Sequence, residues 1–139
     1  MIPSWSWDSI EPMGLEKLIG LLNSRMKLLQ RAISSQEGVN APTLLNGWVN
    51  FGGVETPAGY YKDTSGRVHL RGFIKSGTAA ADTVLFTLPI GYRPSVAINF
   101  AVVSNNAFGY IDILASGNVR FQVGSNVSLS LDGISFRAA

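Results

Sequence analysis

Cysteine is absent from the 139 residues, so neither a disulfide nor a thiolate metal site can form. Charge is scarce. Asp, Glu, Lys and Arg make up 14% of the chain, against about 25% in ordinary soluble domains. A chain with so few charges to cover its surface points to surface hidden in an assembly. The net charge of +2 is too small for a nucleic-acid footprint, and no Lys/Arg cluster interleaves with aromatics, so no nucleic-acid partner is expected. No apolar run approaches the roughly 18–20 residues of a membrane span, so no membrane insertion is expected. The N-terminus opens on Met1 with no positive stretch ahead of an apolar core and does not read as a secretion signal.

Catalytic patterns are missing as well. There is one histidine, His69, and past the first 46 residues only five carboxylates remain: Glu55, Asp63, Asp82, Asp112 and Asp132. Several sit at turns, where short acidic side chains cap the backbone. No G-x-S-x-G elbow surrounds a serine, and no H-E-x-x-H, phosphate-loop or EF-hand pattern occurs. "GGVETPAG" is glycine-rich but precedes no helix signal. The expectation is a protein that is not an enzyme, with no catalytic residues, no metal and no cofactor.

What is present falls into two regions with different periods. Leu15, Ile19, Leu22, Met26, Leu29 and Ile33 step by 4, 3, 4, 3 and 4. This is a heptad seam with Ile19, Met26 and Ile33 at a and Leu15, Leu22 and Leu29 at d. Glu11 and Glu16 lie near the start, and Arg25, Lys27 and Arg31 toward the end, as the helix dipole favours. Ser9 is read as the N-cap, with Pro12 in the first turn. Over residues 15–33 the helix would be about 28 Å long at roughly 1.5 Å per residue. A helix of this length is marginal alone. The unbroken seam favours self-association over packing on its own domain. Ile at a with Leu at d favours two strands, whereas Leu18, Leu21 and Leu28 widen the apolar face toward three, and the heptads leave the choice open.

After the polar stretch "SSQEGVNAP" the period becomes 2. Val68, Leu70 and Ile74 alternate with Arg67, His69, Arg71 and Lys75; Val119, Phe121 and Val123 alternate with Asn118, Arg120 and Gln122; Ile111 and Ile113 alternate with Tyr110 and Asp112. "SVAINFAVV" has the β-branched apolar character of a central strand. Turn signals such as "KDTSGR", "ASGN" and "LDG" separate the runs. Seven or eight short strands at this spacing read as an antiparallel sandwich or barrel. In "LFTLPIGYRP", Leu85–Leu88 is read as a strand, Pro89 ends its ladder, and Gly91 supplies a backbone angle other residues resist. Pro94 biases Arg93 toward extended geometry. The stretch is a rigid corner expected to carry the chain from one sheet to the other, with the Tyr92 ring packed beneath it.

The organisation expected is an N-terminal segment and helix over 1–37, a linker over 38–46 and a β head over 47–139. On the head, His69 and Arg71 lie on the polar side of one strand, where they could bond sugar hydroxyls or phosphates. Asp112 and Arg120 lie on the polar side of two others. Trp48 offers a flat apolar face that would suit a sugar ring, although a core or subunit-contact role is the commoner one. Trp5 and Trp7 precede the helix and either staple the start of a bundle or form an apolar plug docking into something larger.

A heptad helix, a polar linker and a small all-β head resemble the receptor-binding and fibre-tip proteins of tailed bacteriophages. "GRVHLRGFIKSGT", "LFTLPIGYRPS" and "LSLDGISFRA" are similar to the strand, TLP-GYRP, strand, LDGI-F run in C-terminal domains of many phage fibre and appendage proteins, over residues 66 to 136. The resemblance implies a homotrimer with a three-helix coiled-coil stalk and antiparallel, jelly-roll-like β-sandwich heads. It implies a location in the virion after synthesis in the host cytoplasm, attachment to another virion protein through the N-terminus, and binding of a host surface saccharide through the head. A capsid decoration or head-fibre protein that binds no receptor is the alternative. A free trimeric signalling jelly roll is a third reading, and the missing export signal counts against it.

Overall fold

The computed structural model describes residues 7–34 and 36–139, with side chains described for 14–30 and 36–139. Trp5 lies outside the described residues, as do the side chains of Trp7 and Ile33. The chain divides into two compact units, 1–36 and 37–139.

In the first unit, α1 runs Trp7–Ser34 over 28 residues. It begins before Ser9, so Ser9 is an interior residue rather than the N-cap. Pro12 lies beyond the first turn, where its missing N–H leaves one helical carbonyl without a donor. Leu15, Leu18, Ile19, Leu21, Leu22, Met26, Leu28 and Leu29 are each between 47% and 63% exposed. The backbone offers little to offset this. Gly14 and Gly20 each weaken a helix interior by roughly 1 kcal/mol relative to alanine, and the Ser24 hydroxyl donates back to the Gly20 carbonyl at 3.0 Å. Covering the apolar face would stabilise such a helix more than any local feature it carries.

The second unit is mainly β, and all its strand pairs are antiparallel. Its strands are β1 Val49–Asn50, β2 Gly59–Lys62, β3 Arg67–Arg71, β4 Phe73–Lys75, β5 Thr83–Thr87, β6 Ile98–Ser104, β7 Ala107–Ile113, β8 Asn118–Val123, β9 Leu129–Ser130 and β10 Ser135–Arg137. They form three sheets in the orders β1-β4-β9, β10-β3-β2 and β5-β8-β7-β6. One core joins them, built from Val68, Leu70, Ile74, Leu85, Phe86, Leu88, Ile111, Ile113, Val119, Phe121, Leu129, Leu131 and Phe136. The alternation predicted for β3 is the alternation of burial along it. In β8 it holds for Val119 and Phe121 but not for Val123, which is exposed. In β7 Asp112 is buried along with Ile111 and Ile113, because it pairs with Arg120.

Three expectations are corrected. The "SVAINFAVV" strand, β6, is an edge strand. Its β-branched composition reflects a half-buried inner face (Ile98, Phe100, Val102) opposite an exposed row of Asn99, Ala101 and Val103, not a central position. The Leu85–Leu88 strand begins earlier, at Thr83, and a register shift between Val84 and Phe86 lets Leu85 and Phe86 both enter the core. The corner after it joins β5 to β6, the two edges of one four-stranded sheet, rather than two sheets.

The corner itself is rigid for the reasons the sequence suggests. Gly91 has φ +95°, a value costly for other residues. The Tyr92 N–H donates to Pro89 O at 3.1 Å, and Arg93 Nε donates to Leu88 O at 2.8 Å. The Tyr92 ring packs edge-on against Tyr60, 5.2 Å between centroids. Its hydroxyl donates to Glu37, which also accepts from the Lys62 N–H. Residues 38–46, read as a linker, run along this unit. Asn40 and Tyr60 exchange backbone bonds of 2.8 and 2.9 Å, and the Leu45 N–H donates to Leu85 O at 2.8 Å.

Candidate ligand-binding site

Five head residues were expected to meet a ligand, and the fold separates them into a core residue and two surface clusters. Trp48 is 2% exposed. Its ring lies 5.7 Å from that of Phe121, and a Cβ at Gly77 would come within 2.1 Å of the indole, so only glycine leaves room for it. Trp48 is therefore a core residue here and presents no face to a sugar.

The first cluster lies on the outer face of the β10-β3-β2 sheet. Alternation along β3 puts Arg67, His69 and Arg71 on that side, and the register sets Tyr61 and Ser135 on either side of His69. His69 stacks on Tyr61 with centroids 4.9 Å apart and planes 14° from parallel. His69 Nε2 lies 2.8 Å from Asp63 Oδ2. The other Asp63 oxygen accepts from the Ser65 hydroxyl at 2.7 Å and from the Ser65 and Arg67 N–H groups, each at 3.0 Å. His69, then Ser65 and Arg67, hold the Asp63 carboxyl well below the usual carboxylate range. Arg67 Nη2 donates to Ser135 Oγ at 3.1 Å, whereas Arg71 is exposed. The face thus combines a stacked aromatic pair, two guanidinium groups and hydroxyls, with its one carboxylate already committed to closing the β2–β3 turn.

The second cluster lies on the β5-β8-β7-β6 sheet. Asp112 and Arg120 face each other across β7 and β8 and form a two-point pair of 2.8 and 2.6 Å. Arg120 also reaches Asp82 at 3.1 Å, and the Gln122 amide donates to Asp82 at 3.0 Å and Asp112 at 3.1 Å. Asp112, then its charge and that of Asp82, raise the Arg120 pKa. Asp112 is buried. These groups satisfy one another and leave little for a ligand. This cluster reads as a pin between β7, β8 and the residue that precedes β5.

Tyr61 and Asp63 were not singled out from the sequence. The signal was the turn "KDTSGR": once Asp63 to Arg67 is taken as the loop of a β2–β3 hairpin, Tyr61 must lie opposite His69. Among the described residues no three His, Cys, Asp or Glu side chains come together as a metal site, and no helix is long and apolar enough to cross a membrane.

No protein-family model matches the sequence, and no curated protein matches it. Among solved structures, the chain is similar to the crystal structure of the receptor binding protein (gp15) of Listeria phage PSA, with a TM-score of 0.69. The likeness covers 99% of this chain and 89% of that one at 22% sequence identity. At that identity it is a likeness of fold. It extends the resemblance to phage receptor-binding appendages, read from residues 66–136, over nearly the whole chain.

Proposed function

We propose that this chain is a tailed-bacteriophage virion appendage that binds a host surface saccharide through its β head and assembles as a homotrimer through α1. The observation that carries the reading is the pairing of a helix whose described leucines, Ile19 and Met26 are about half exposed or more with a head that shares, with that helix, the fold of a phage receptor binding protein. The helix would close its face as a three-stranded coiled coil: eight exposed apolar side chains across more than the a/d seam are more than two strands would cover. The heads would pack around the same axis as jelly-roll-like sandwiches. Trp5 and Trp7 would attach the trimer to another virion protein.

On the head, the Tyr61–His69 stack flanked by Arg67 and Arg71 is the surface that suits a saccharide: a flat apolar face for a ring, with donors beside it for hydroxyls. Purified protein should bind host cells saturably and compete with infection. Saturating protein that neither binds cells nor blocks infection would favour the decoration role. Deleting residues 1–8 should leave the oligomer intact and abolish incorporation into virions. Loss of the oligomer itself would assign the tryptophans to the bundle.

A further inference from the structure

The corner "LPIGYRP" closes one wall of a groove of about 320 Å³, whose lining includes Pro42, Thr43, Tyr60, Thr87, Pro89 and Arg93. We propose that this groove binds a single anionic sugar residue, with Arg93 selecting the anion. The inference rests on the reading of the head as a saccharide binder and gives that ligand a charge and a second point of contact, away from the His69 face.

Four observations carry it. The volume lies at the lower end of small-ligand sites, about 300–1,000 Å³, which suits one ring rather than a buried chain. The walls are preformed: Leu45 N–H to Leu85 O holds one side and Leu88 N–H to Gly117 O the other, both at 2.8 Å, and both prolines have fixed backbones. Arg93 is preoriented. Its Nε is spent on Leu88 O, and a side chain at Gly117 would come within 2.7 Å of that nitrogen. Its two terminal nitrogens have no partner among the described residues, and neither does the Tyr60 hydroxyl. Finally, no Asp or Glu is among the described residues that line the groove. The nearby Glu37 is held by Tyr92 and the Lys62 N–H, while Lys62 Nζ sits at the same corner on Gly91 O, 2.9 Å away.

A guanidinium whose outer edge is open, fixed in a concave site with no Asp or Glu among its described lining residues, fits a planar or tetrahedral anion in two-point contact. The Tyr60 and Thr43 hydroxyls and the Thr87 oxygen, whose own proton goes to Asn118, supply donors and acceptors for ring hydroxyls. Carboxylate and phosphate satisfy this chemistry alike.

The test titrates the full-length protein with glucuronic acid, glucose 6-phosphate and neutral glucose, read by NMR shifts and calorimetry. At least one anionic probe should bind, perturbing Tyr60 and Thr43, with glucose at least about tenfold weaker; which anion binds better identifies the carboxylated or phosphorylated source. Arg93→Lys should weaken the anionic probe about tenfold, because an ammonium loses the two-point geometry. Thr43→Trp, at an exposed position, should block the groove while leaving the melting temperature unchanged. Absence of binding by both anions, equal binding of glucose, or indifference to both variants would overturn the proposal. Host-cell binding by the wild type that survives both variants would remove this groove from the receptor contact and leave the proposed function standing. A wild type that does not bind cells would remove the function itself.

Discussion

Leucine and isoleucine are used in both units of the molecule, to opposite effect. In the β unit, Ile74, Leu85, Leu88, Ile111, Ile113, Leu129 and Leu131 are wholly buried in one core that the three sheets share. In α1, Leu15, Leu22 and Leu29 recur as regularly and remain about half exposed or more. Hydrophobicity is equal in the two places; what differs is the supply of surfaces. Ten short strands in three sheets can close a core within one chain. One helix with two internal glycines cannot, and on the proposed reading copies of it would supply the missing surface. The β unit closes a core of its own, and on the function proposed above the helix is completed by assembly.

The largest effect that would break this comparison is in the core. Phe121→Ala, beneath Trp48, should cost about 3–5 kcal/mol, seen as a lower melting temperature of the β signal while the helix stays assembled. Simultaneous loss of assembly would show that the units are not independent. Next, Leu22→Asp should weaken association by about 2–3 kcal/mol per chain, seen in sedimentation as dissociation on dilution, with the near-UV signal of Trp48 unchanged. A smaller effect belongs to the polar pin. Arg120→Ala leaves buried Asp112 with only Gln122 and should cost about 1–2 kcal/mol, discounted because the Arg120 side chain is 25% exposed. Asp112→Asn in the same background should recover part of it.

The smallest effect is a pH dependence confined to the β unit. Asp63 has a depressed carboxyl pKa in the folded chain. Its contribution is therefore complete above the usual value near 4 and is lost as pH falls below that toward the folded value. The melting-temperature difference between wild type and Asp63→Asn should shrink across that acid window, with helix assembly indifferent to the substitution.

Much of the fold was legible in the sequence because its signals were local. The 4-3 spacing marks α1, and alternation marks β3, β7 and β8. Gly91 and the two prolines mark the corner. What was not legible depended on which strands pair. "SVAINFAVV" carries no mark of lying at an edge, because half-buried and fully buried strands share β-branched residues. The β5 bulge, which turns Leu85 and Phe86 inward together, leaves only an unbroken apolar run. Trp48 could not be placed without knowing that Gly77 opposes its ring. At the candidate site, His69 and Arg71 were readable as one polar row, whereas Asp112 and Arg120 proved to be partners of each other. Their pairing follows from the β7–β8 register alone, which the turn "ASGN" does not specify by itself.

The central claim, that the helix is completed by other copies of this chain, is tested most directly by the solution mass of the full-length protein from light scattering. Three chain masses, persisting on dilution into the low micromolar range, is the result expected. A single chain mass with α1 still helical by circular dichroism would contradict the account, because the apolar face would then need no partner.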